Sequence, residues 1–452
     1  MESMNPESNQ EPPSLPKSLH TALSDLHRRP YPHVPNPPSC KKRASVALVL
    51  RVRPSYHHWP DSPSLPAEQD QAVSTEQRLE TFFSQSWVQH GSPEVLFIKR
   101  ASRVGDRWTG HVAFPGGKRD PEDTDDRAVA IRETSEEVGL DLATNDYIYI
   151  GNLPERVVTT SWGSVPLMVL CPFVFLSTRS DSPTLKLQPT EVASSHWVPL
   201  ESLLSPSART VEYVDMSQRF ANRGGLIARL ICRSLMGWME FAAIQLQPSE
   251  SLNCHTTPNP DTITTQSSPS IFQRWKTCCS ANSAASVNST RPLHLWGLSL
   301  GILADFLDML PPHTAVRLWK YPTFTSPDLR FIISILTYRL RKRNVLHVRS
   351  GARTVISNTA VDGQTVALAV VQEHNTQHDH NDVGIGGLGV GRYYGASDKA
   401  SDGSTYAVGI MLRGYYEKLR VAIYVFLAWR IALGSVAAVY AWKFLRDRLI
   451  RR

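Results

Sequence analysis

The chain has 452 residues, which is long enough for two or three domains and ample for one sizeable core. Its net charge of +7 suits anionic metabolites or an anionic membrane surface. Nucleic acid is not favoured, because no run of Arg and Lys is interleaved with aromatic residues. The six cysteines form no CxxC pair, which argues against a zinc site and favours reduced thiols in a cytosol-facing protein. The oligomeric state is left open.

Residues 1–44 are rich in Pro, Ser and charge, and this composition predicts a disordered tail without a secretory signal. Strand-like runs follow at residues 45–53, 94–101, 110–117, 147–153, 166–176 and 194–200. One helix is predicted between the third and fourth runs. This order predicts an α/β domain of the α+β type, whose sheet is mixed and substantially non-parallel.

The sequence patterns that indicate strands and helices are weaker beyond residue 205, and residues from about 205 to 290 are predicted to be an insert. Within it, Leu226–Leu246 is an apolar helix or strand packed on the core, and residues 247–270 are predicted to be disordered. Residues 294–310 have helical spacing, so the domain is taken as 45–310. Residues 311–344 form an extension that is either helix or strand, and 345–415 is a low-complexity linker.

The C-terminal segment, residues 416–452, is a candidate transmembrane tail anchor. Val421–Trp442 is a 22-residue apolar run, which is about the length that spans a bilayer. Arg430 in its middle costs roughly 2.5–3.5 kcal/mol on the insertion scale, whereas its Val, Ile, Leu and Phe residues return about 3–5 kcal/mol. With basic flanks and a snorkelling Arg430, this balance favours an anchor over a helix packed on the domain.

The stretch Pro115–Leu140 joins a glycine pair to a predicted helix with three glutamates near its end. Asp123 or Thr124 is expected to cap the helix, and Gly139 to end it. Glu133, Glu136 and Glu137 are spaced i, i+3 and i+4 and share one face, where like charges repel. A cation would offset that repulsion, and Mg²⁺ suits a site of few protein oxygens completed by phosphates. The alternative is a solvated acidic face with pairs such as Arg132–Glu136.

This stretch resembles the Nudix box, G-x5-E-x7-R-E-U-x-E-E-x-G-U, in which U is a bulky apolar residue. Arg132–Glu133, Glu136–Glu137 and Gly139–Leu140 match the second half, although Thr134 stands at an apolar position. The first half is one residue longer. Together with Phe114–Gly117 before it, this longer form is similar to the branch that contains coenzyme A diphosphatases.

Other segments agree with or depart from that branch. Residues 187–204, which include Trp197–Leu200, look like the family's late strand, and residues 293–307 resemble its closing helix. Asp106 and Trp108 stand where the branch usually has other residues, which leaves the substrate open. The resemblance implies a Nudix-like α/β/α sandwich with a mixed sheet. It also implies a metal-dependent hydrolase that cleaves the diphosphate of a nucleotide linked to another group, with coenzyme A or its derivatives first among the substrates.

The resemblance also implies roles for individual residues. Glu133, Glu136 and Glu137 would hold Mg²⁺ or Mn²⁺, and Arg132 would orient a glutamate. Glu137 and Glu191 are alternative general bases. The remaining expected contacts with the small-molecule substrate are the turn residues and two cations, namely Gly116, Gly117, Lys99 and Arg100.

The sequence supports two hypotheses about the function of the whole chain. The first is a membrane-anchored hydrolase whose catalytic domain faces the cytosol, a description compatible with a peroxisomal or mitochondrial membrane. The second is a catalytically weak Nudix-fold binding or scaffold module tethered to a membrane. All three glutamates are present, which favours the enzyme, because a binding module has no need to keep them.

Overall fold

A computed structural model describes residues 14–56, 74–103, 108–159, 165–217, 225–254, 292–311, 320–351, 412 and 414–450. The strands in chain order are β1 (Arg43–Arg53), β2 (Ser92–Arg100), β3 (Val112–Ala113), β4 (Gly116–Lys118), β5 (Tyr147–Asn152), β6 (Arg156–Thr159), β7 (Pro166–Ser177), β8 (Val192–Pro199), β9 (Arg209–Val214), β10 (Met239–Gln245), β11 (Glu250–Asn253), β12 (His294–Trp296) and β13 (Thr323–Phe324). The helices are α1 (Leu15–Arg28), α2 (Thr75–Ser84), α3 (Ser86–Gln89), α4 (Asp126–Val138), α5 (Leu200–Leu204), α6 (Gly225–Met236), α7 (Gly297–Asp308), α8 (Pro327–Gly351) and α9 (Tyr415–Ile450).

The larger sheet has the strand order β11-β8-β2-β1-β7-β5, with β3 paired to β2, β4 to β1 and β6 to β7. Strands β1 and β7 are parallel, and the other described pairs are antiparallel. A second sheet has the order β12-β10-β13, with β9 also paired to β10. The mixed, mostly antiparallel sheet confirms the sequence prediction.

The larger sheet is covered on both faces because its strands alternate between two cores. On β2, Val95 and Phe97 join a core with α1, α2 and α7, whereas Leu96 and Ile98 join a second core on the α4 side. Successive side chains of a strand point to opposite faces, so a strand buried on both sides needs apolar residues throughout. This arrangement of helices, sheet and helix confirms the predicted α/β/α sandwich.

Part of the predicted disordered tail is ordered. In α1, Leu19, Leu23 and Leu26 recur at helical spacing and are fully buried in the first core, so the prediction for residues 1–44 is wrong over Leu15–Arg28. One buried apolar stripe is enough to fix a short polar helix by tertiary packing, which composition alone does not reveal. Residues 1–13 lie outside the described residues.

The predicted insert also contributes ordered structure. Leu226–Leu246 is both helix and strand, because Gly237 (φ +71°) ends α6 and starts the turn into β10. Strand β11 pairs with β8 at the edge of the larger sheet, so the prediction of disorder is wrong at Glu250–Asn253. Residues 294–310 begin as strand β12 before helix α7, and the undecided extension contains the long helix α8. Residues 255–291 and 352–411 lie outside the described ranges.

The C-terminal run is one continuous helix, α9. By length and composition it can cross a membrane, with a mean hydropathy of 1.8 in its most apolar window and 17% of that window buried in the protein. Only its first part packs on the second sheet and α8, through Leu419, Ile423 and Phe426. Arg430 Nη2 pairs with Asp328 Oδ2 at 2.7 Å, and its snorkelling in a bilayer remains a prediction.

Candidate active site

Helix α4 is capped at both ends. Asp125, not the predicted Asp123 or Thr124, is the N-cap, since its Oδ1 accepts the Ala128 N–H at 2.7 Å. Gly139 is left-handed (φ +75°) and ends the helix, as predicted. Thr134, which departs from the Nudix pattern, is fully buried, and its hydroxyl donates to the Ala130 carbonyl at 2.6 Å. The polar atom is therefore satisfied within the helix.

Arg132 ties the loop before α4 to the acidic face of the helix. Its Nε and Nη2 donate to the two carboxylate oxygens of Asp123, each at 3.0 Å, a bidentate geometry. Its Nη1 donates to Glu133 at 3.1 Å and to Glu136 at 3.2 Å. Hydrogen bonding to Arg132 lowers the pKa of Asp123, which stays ionised. Asp123 therefore does not cap the helix. It anchors Arg132 instead, a role that the sequence pattern did not indicate.

Glu137 is buried against the backbone of β4. Its side chain is 1% exposed, and its Oε2 accepts the Gly116 N–H at 2.9 Å. Arg100 Nη1 approaches its Oε1 at 3.8 Å. Burial raises the pKa of Glu137 to about 8, and the Gly116 hydrogen bond and the Arg100 charge only partly oppose that rise. Desolvation therefore disfavours the ionised form of Glu137, although Arg100 lies nearby.

Both glycines of the pair are required by close approach. Gly116, the first residue of β4, has φ +148° and packs against β1, where a Cβ would collide with the Ser45 carbonyl oxygen. At Gly117 a Cβ would collide with every atom of the Glu133 carboxyl group. The missing side chain at Gly117 is what allows Glu133 to lie against β4, and burial raises the pKa of Glu133 as well. The pair therefore brings the helix against the strand.

A third carboxylate, that of Glu191, lies in the segment just before β8. That segment is tied to the end of α4, because the Gln188 N–H donates to the Glu137 carbonyl at 3.0 Å and the Glu191 N–H donates to the Gln188 carbonyl at 3.0 Å. Its other side is bonded to the end of β2, where the Ala101 N–H donates to the Glu191 carbonyl at 2.7 Å. One oxygen each from Glu133, Glu137 and Glu191 lie within 4.8 Å of one another.

Glu136 stands apart from this trio. Its side chain is 57% exposed and turned to Arg132, so the structure brings together Glu133, Glu137 and Glu191 rather than the three glutamates of the box. The assignment of Glu136 as a ligand remains a prediction, as do the other roles assigned from the sequence. Strand alternation places Lys99 on the face opposite Arg100, where its charge helps to lower the pKa of His196, mainly depressed by burial. Lys99 is not brought to the carboxylates.

Two arginines line the same end of the sheet. Arg100 reaches Glu137 as described, and Arg103 Nη2 donates to Glu191 Oε1 at 2.7 Å. Arg103 was missed by the sequence reasoning, since nothing in its spacing sets it apart from other surface arginines. Next to Arg100, whose N–H donates to the His111 carbonyl at 3.0 Å, the His111 ring contacts Trp296 with centroids 4.8 Å apart. Strand β12 thus adds an aromatic side chain beside the site. Asp106 lies outside the described residues.

A second group of potential ligands, His33, Asp126 and Glu155, is already neutralised. Arg43 donates from Nε to Asp126 at 2.6 Å and from Nη2 to Glu155 at 2.7 Å. Arg119 Nη1 also donates to Asp126 Oδ1 at 3.1 Å, so two guanidinium groups balance the two carboxylates and leave no net charge for a cation. Among the described residues, the Glu133–Glu137–Glu191 group is therefore the one suited to a metal ion.

Comparisons with known proteins agree with this geometry. The NUDIX domain family model matches residues 87–220. The chain is 35% identical over 257 residues to the uncharacterized protein C14C4.10c of Schizosaccharomyces pombe, covering 56% of this chain and 68% of that protein. It is 33% identical over 138 residues to mouse peroxisomal coenzyme A diphosphatase NUDT7, covering 28% of this chain and 50% of the mouse protein.

A shorter match joins the chain to mouse mitochondrial coenzyme A diphosphatase NUDT8, at 50% identity over 52 residues, which is 12% of this chain and 25% of that protein. The chain thus spans half or less of the length of these two named enzymes. The residues that the family model matches include β2 to β8 and helix α4 of the α/β/α sandwich. The chain belongs to the Nudix family of pyrophosphohydrolases, in the branch that resembles coenzyme A diphosphatases.

Proposed function

We propose that this protein hydrolyses the diphosphate bond of coenzyme A or a closely related nucleotide conjugate, using a divalent cation. The observation that carries the proposal is the convergence of Glu133, Glu137 and Glu191 beside Arg100 and Arg103. Carboxylates and guanidinium groups side by side suit a substrate that brings both a metal ion and phosphates. The names of the relatives point to coenzyme A as the first substrate to test.

The donor set fits Mg²⁺ or Mn²⁺. Three carboxylate oxygens within 4.8 Å of one another are hard ligands of the kind these cations prefer. Burial raises the pKa of Glu137, and a bound cation would favour its ionised form. A cation held there would neutralise phosphate charge and lower the pKa of a coordinated water.

Each residue of the site then has a distinct task. Glu137 and Glu133 are the proposed principal ligands, because both are buried and held in place by β4. Arg132 positions Glu133 through its bidentate grip on Asp123. Glu191 is the proposed general base, because its 35% exposure lets it pass a proton to solvent, whereas Glu137 is shut off from water.

The substrate's phosphates are assigned to the two arginines at the end of β2. Arg100 and Arg103 can turn from Glu137 and Glu191 towards phosphate oxygens once a cation balances the carboxylates. The ring pair His111–Trp296 lies beside Arg100 and offers an aromatic surface to the group linked to the diphosphate. Recognition of that group would then involve both sheets.

The test uses the full chain with coenzyme A, ADP-ribose and other nucleotide conjugates, scoring both phosphorylated products with added Mg²⁺ or Mn²⁺. Glu137→Gln should abolish turnover and weaken Mn²⁺ binding measured by electron paramagnetic resonance. Glu191→Gln should lower kcat strongly and weaken Mn²⁺ binding less than Glu137→Gln does. Glu122→Gln, an exposed glutamate of the preceding loop, is the matched control. Unchanged product release by Glu137→Gln would refute the role of Glu137, and no product release by the wild type would leave the binding-module alternative standing.

We further propose that α9 tethers the hydrolase to a membrane. The support is its length, its mean hydropathy of 1.8 and the exposure of its second half. Ending the chain after Arg430 keeps Leu419, Ile423 and Phe426 packed, so the rest of the protein should retain its fold. The truncated protein should appear in the soluble fraction, whereas the full chain should float with membranes. Full-length protein recovered only in the soluble fraction would refute the tether.

A further inference from the structure

Helices α8 and α9 form an antiparallel pair, and the contacts at its two ends define its direction. At one end, Arg430 of α9 pairs with Asp328 in the first turn of α8. At the other end, the Arg341 guanidinium lies over the Tyr321 ring, which in turn contacts Tyr415 at the start of α9. The start of α8 therefore lies where α9 leaves the packed part of the protein, which we term the exit end.

The inner face of this pair packs on the second sheet, whereas its outer face is apolar and bare. Leu329 and Ile333 of α8, with Leu419 and Phe426 of α9, are buried against residues such as Phe324. The outer residues of both helices recur at helical spacing and are 45–67% exposed. This outer stripe consists of Phe331, Ile335 and Tyr338 on α8 and Val421, Tyr424, Val425 and Trp429 on α9.

The outer face changes character along its length. Away from the exit end, the same exposed stripes continue with positively charged side chains. These residues, the basic belt, are Arg339, Lys342 and Arg343 on α8 and Lys418 and Arg420 on α9, and exposed Glu417 lies among them without reversing the positive charge. The face is thus apolar where α9 leaves the fold and cationic farther away. Such an order matches the boundary of a bilayer, in which acyl chains give way to anionic head groups.

The length of α9 gives an independent reason for lipid contact. Beyond the Arg430–Asp328 pair, the apolar stretch Ile431–Trp442 measures about 18 Å at 1.5 Å per residue, short of a hydrocarbon core of about 30 Å. Amphipathic helices sink roughly 5–10 Å into the interface. Immersing the exit end of the pair to that depth supplies roughly 5–10 Å of the missing length of about 12 Å.

We propose that the outer stripe of α8 and α9 docks into the lipid interface, so that α8 is a second membrane contact beside the anchor. This inference rests on the proposed tether and adds to it a surface and an orientation. A second copy of the chain is disfavoured as the occupant, because two basic belts brought together would repel. Lipid is the better occupant, because the proposed tether places a bilayer around the second half of α9, next to the outer stripe.

The experiment attaches an environment-sensitive fluorophore to single cysteines of the full chain in phosphatidylcholine–phosphatidylserine vesicles. Cys232, Cys254, Cys278 and Cys279 are first replaced by Ser, and the buried Cys40 and Cys171 are kept, so that each variant has one added reactive cysteine. Ile335→Cys reports the proposed contact, Val436→Cys reports the anchor, and Tyr213→Cys on β9 is an exposed control on the second sheet. Quenching by doxyl lipids is compared with quenching by aqueous iodide.

The expected result is lipid quenching at 436, shallower lipid quenching at 335, and quenching by iodide alone at 213. Iodide quenching at 335 equal to that at 213, with 436 still in lipid, overturns the docking surface and leaves the tether intact. Protection of 335 from both quenchers overturns it in favour of a second copy. Iodide quenching at all three positions refutes the tether and the docking surface together.

Discussion

Replacing Gly117 by alanine tests the contact on which the geometry of the proposed metal site depends. A Cβ at this position would collide with the Glu133 carboxyl group, whereas Gly117 has no positive φ that would strain an alanine backbone. The perturbation is therefore aimed at one carboxylate. The neighbouring Gly116→Ala is different, because its Cβ would strike the backbone of β1 and its φ is +148°.

The size of the effect follows from the distance that Glu133 must move. Its carboxyl group has to retreat by roughly 1 Å before the new Cβ reaches ordinary van der Waals separation. Its hydrogen bond to Arg132, 3.1 Å in the native protein, opposes that movement. Misplacement of this size at a reacting centre costs on the order of 100-fold in rate, or about 2.7 kcal/mol in transition-state stabilisation.

The assay is steady-state hydrolysis of coenzyme A with saturating Mg²⁺, together with a thermal melt. Gly117→Ala should lower kcat about 100-fold and leave the melting temperature within a few degrees of the wild type. Gly116→Ala should instead lower the melting temperature strongly, since strand β4 cannot keep its place on β1. A kcat for Gly117→Ala within threefold of the wild type would refute the claim that Glu133 must lie against this glycine.

Three further predictions concern single side chains. Burial lowers the pKa of His196 from 6.5 to about 4, so the unfolded chain takes up the proton first and stability falls as the pH drops from 6.5 towards 4. Urea unfolding should show about 2 kcal/mol less stability from this group at pH 5 than at pH 7.5. If the free energy of unfolding depends on pH in the same way in His196→Asn, the effect does not come from this histidine. Arg156 pairs with buried Asp305 at 2.6 Å, so Arg156→Met should cost about 3–5 kcal/mol in the free energy of unfolding, and adding Asp305→Leu should recover most of it. No recovery would mean that the cost is one of packing. Finally, Glu136→Gln should weaken Mn²⁺ binding less than Glu137→Gln does, because Glu136 is exposed, and equal losses would bring Glu136 into the site.

Local patterns in the sequence were sufficient to identify helix α4 and most strands of the larger sheet, but they did not identify β6 and β11. Alternating β-branched residues, the glycine pair and Gly139 act within a few residues of one another, so their consequences are visible without a structure. The Nudix box, which is similarly local, identified the family. Helix α1 was hidden because its stability comes from three leucines buried against distant strands, and a short polar helix has little of its own.

The composition of the site was decided by tertiary contacts. Glu133, Glu136 and Glu137 are equivalent by helical spacing, but the missing Cβ at Gly117 and the Gly116 N–H draw in only Glu133 and Glu137. Glu191 enters because backbone hydrogen bonds fasten the segment before β8 to the end of α4. A carboxylate has the same charge wherever it lies in the chain. Only packing determines which carboxylates are buried close enough together to bind a cation, because repulsion and desolvation depend on distance and burial rather than on sequence spacing.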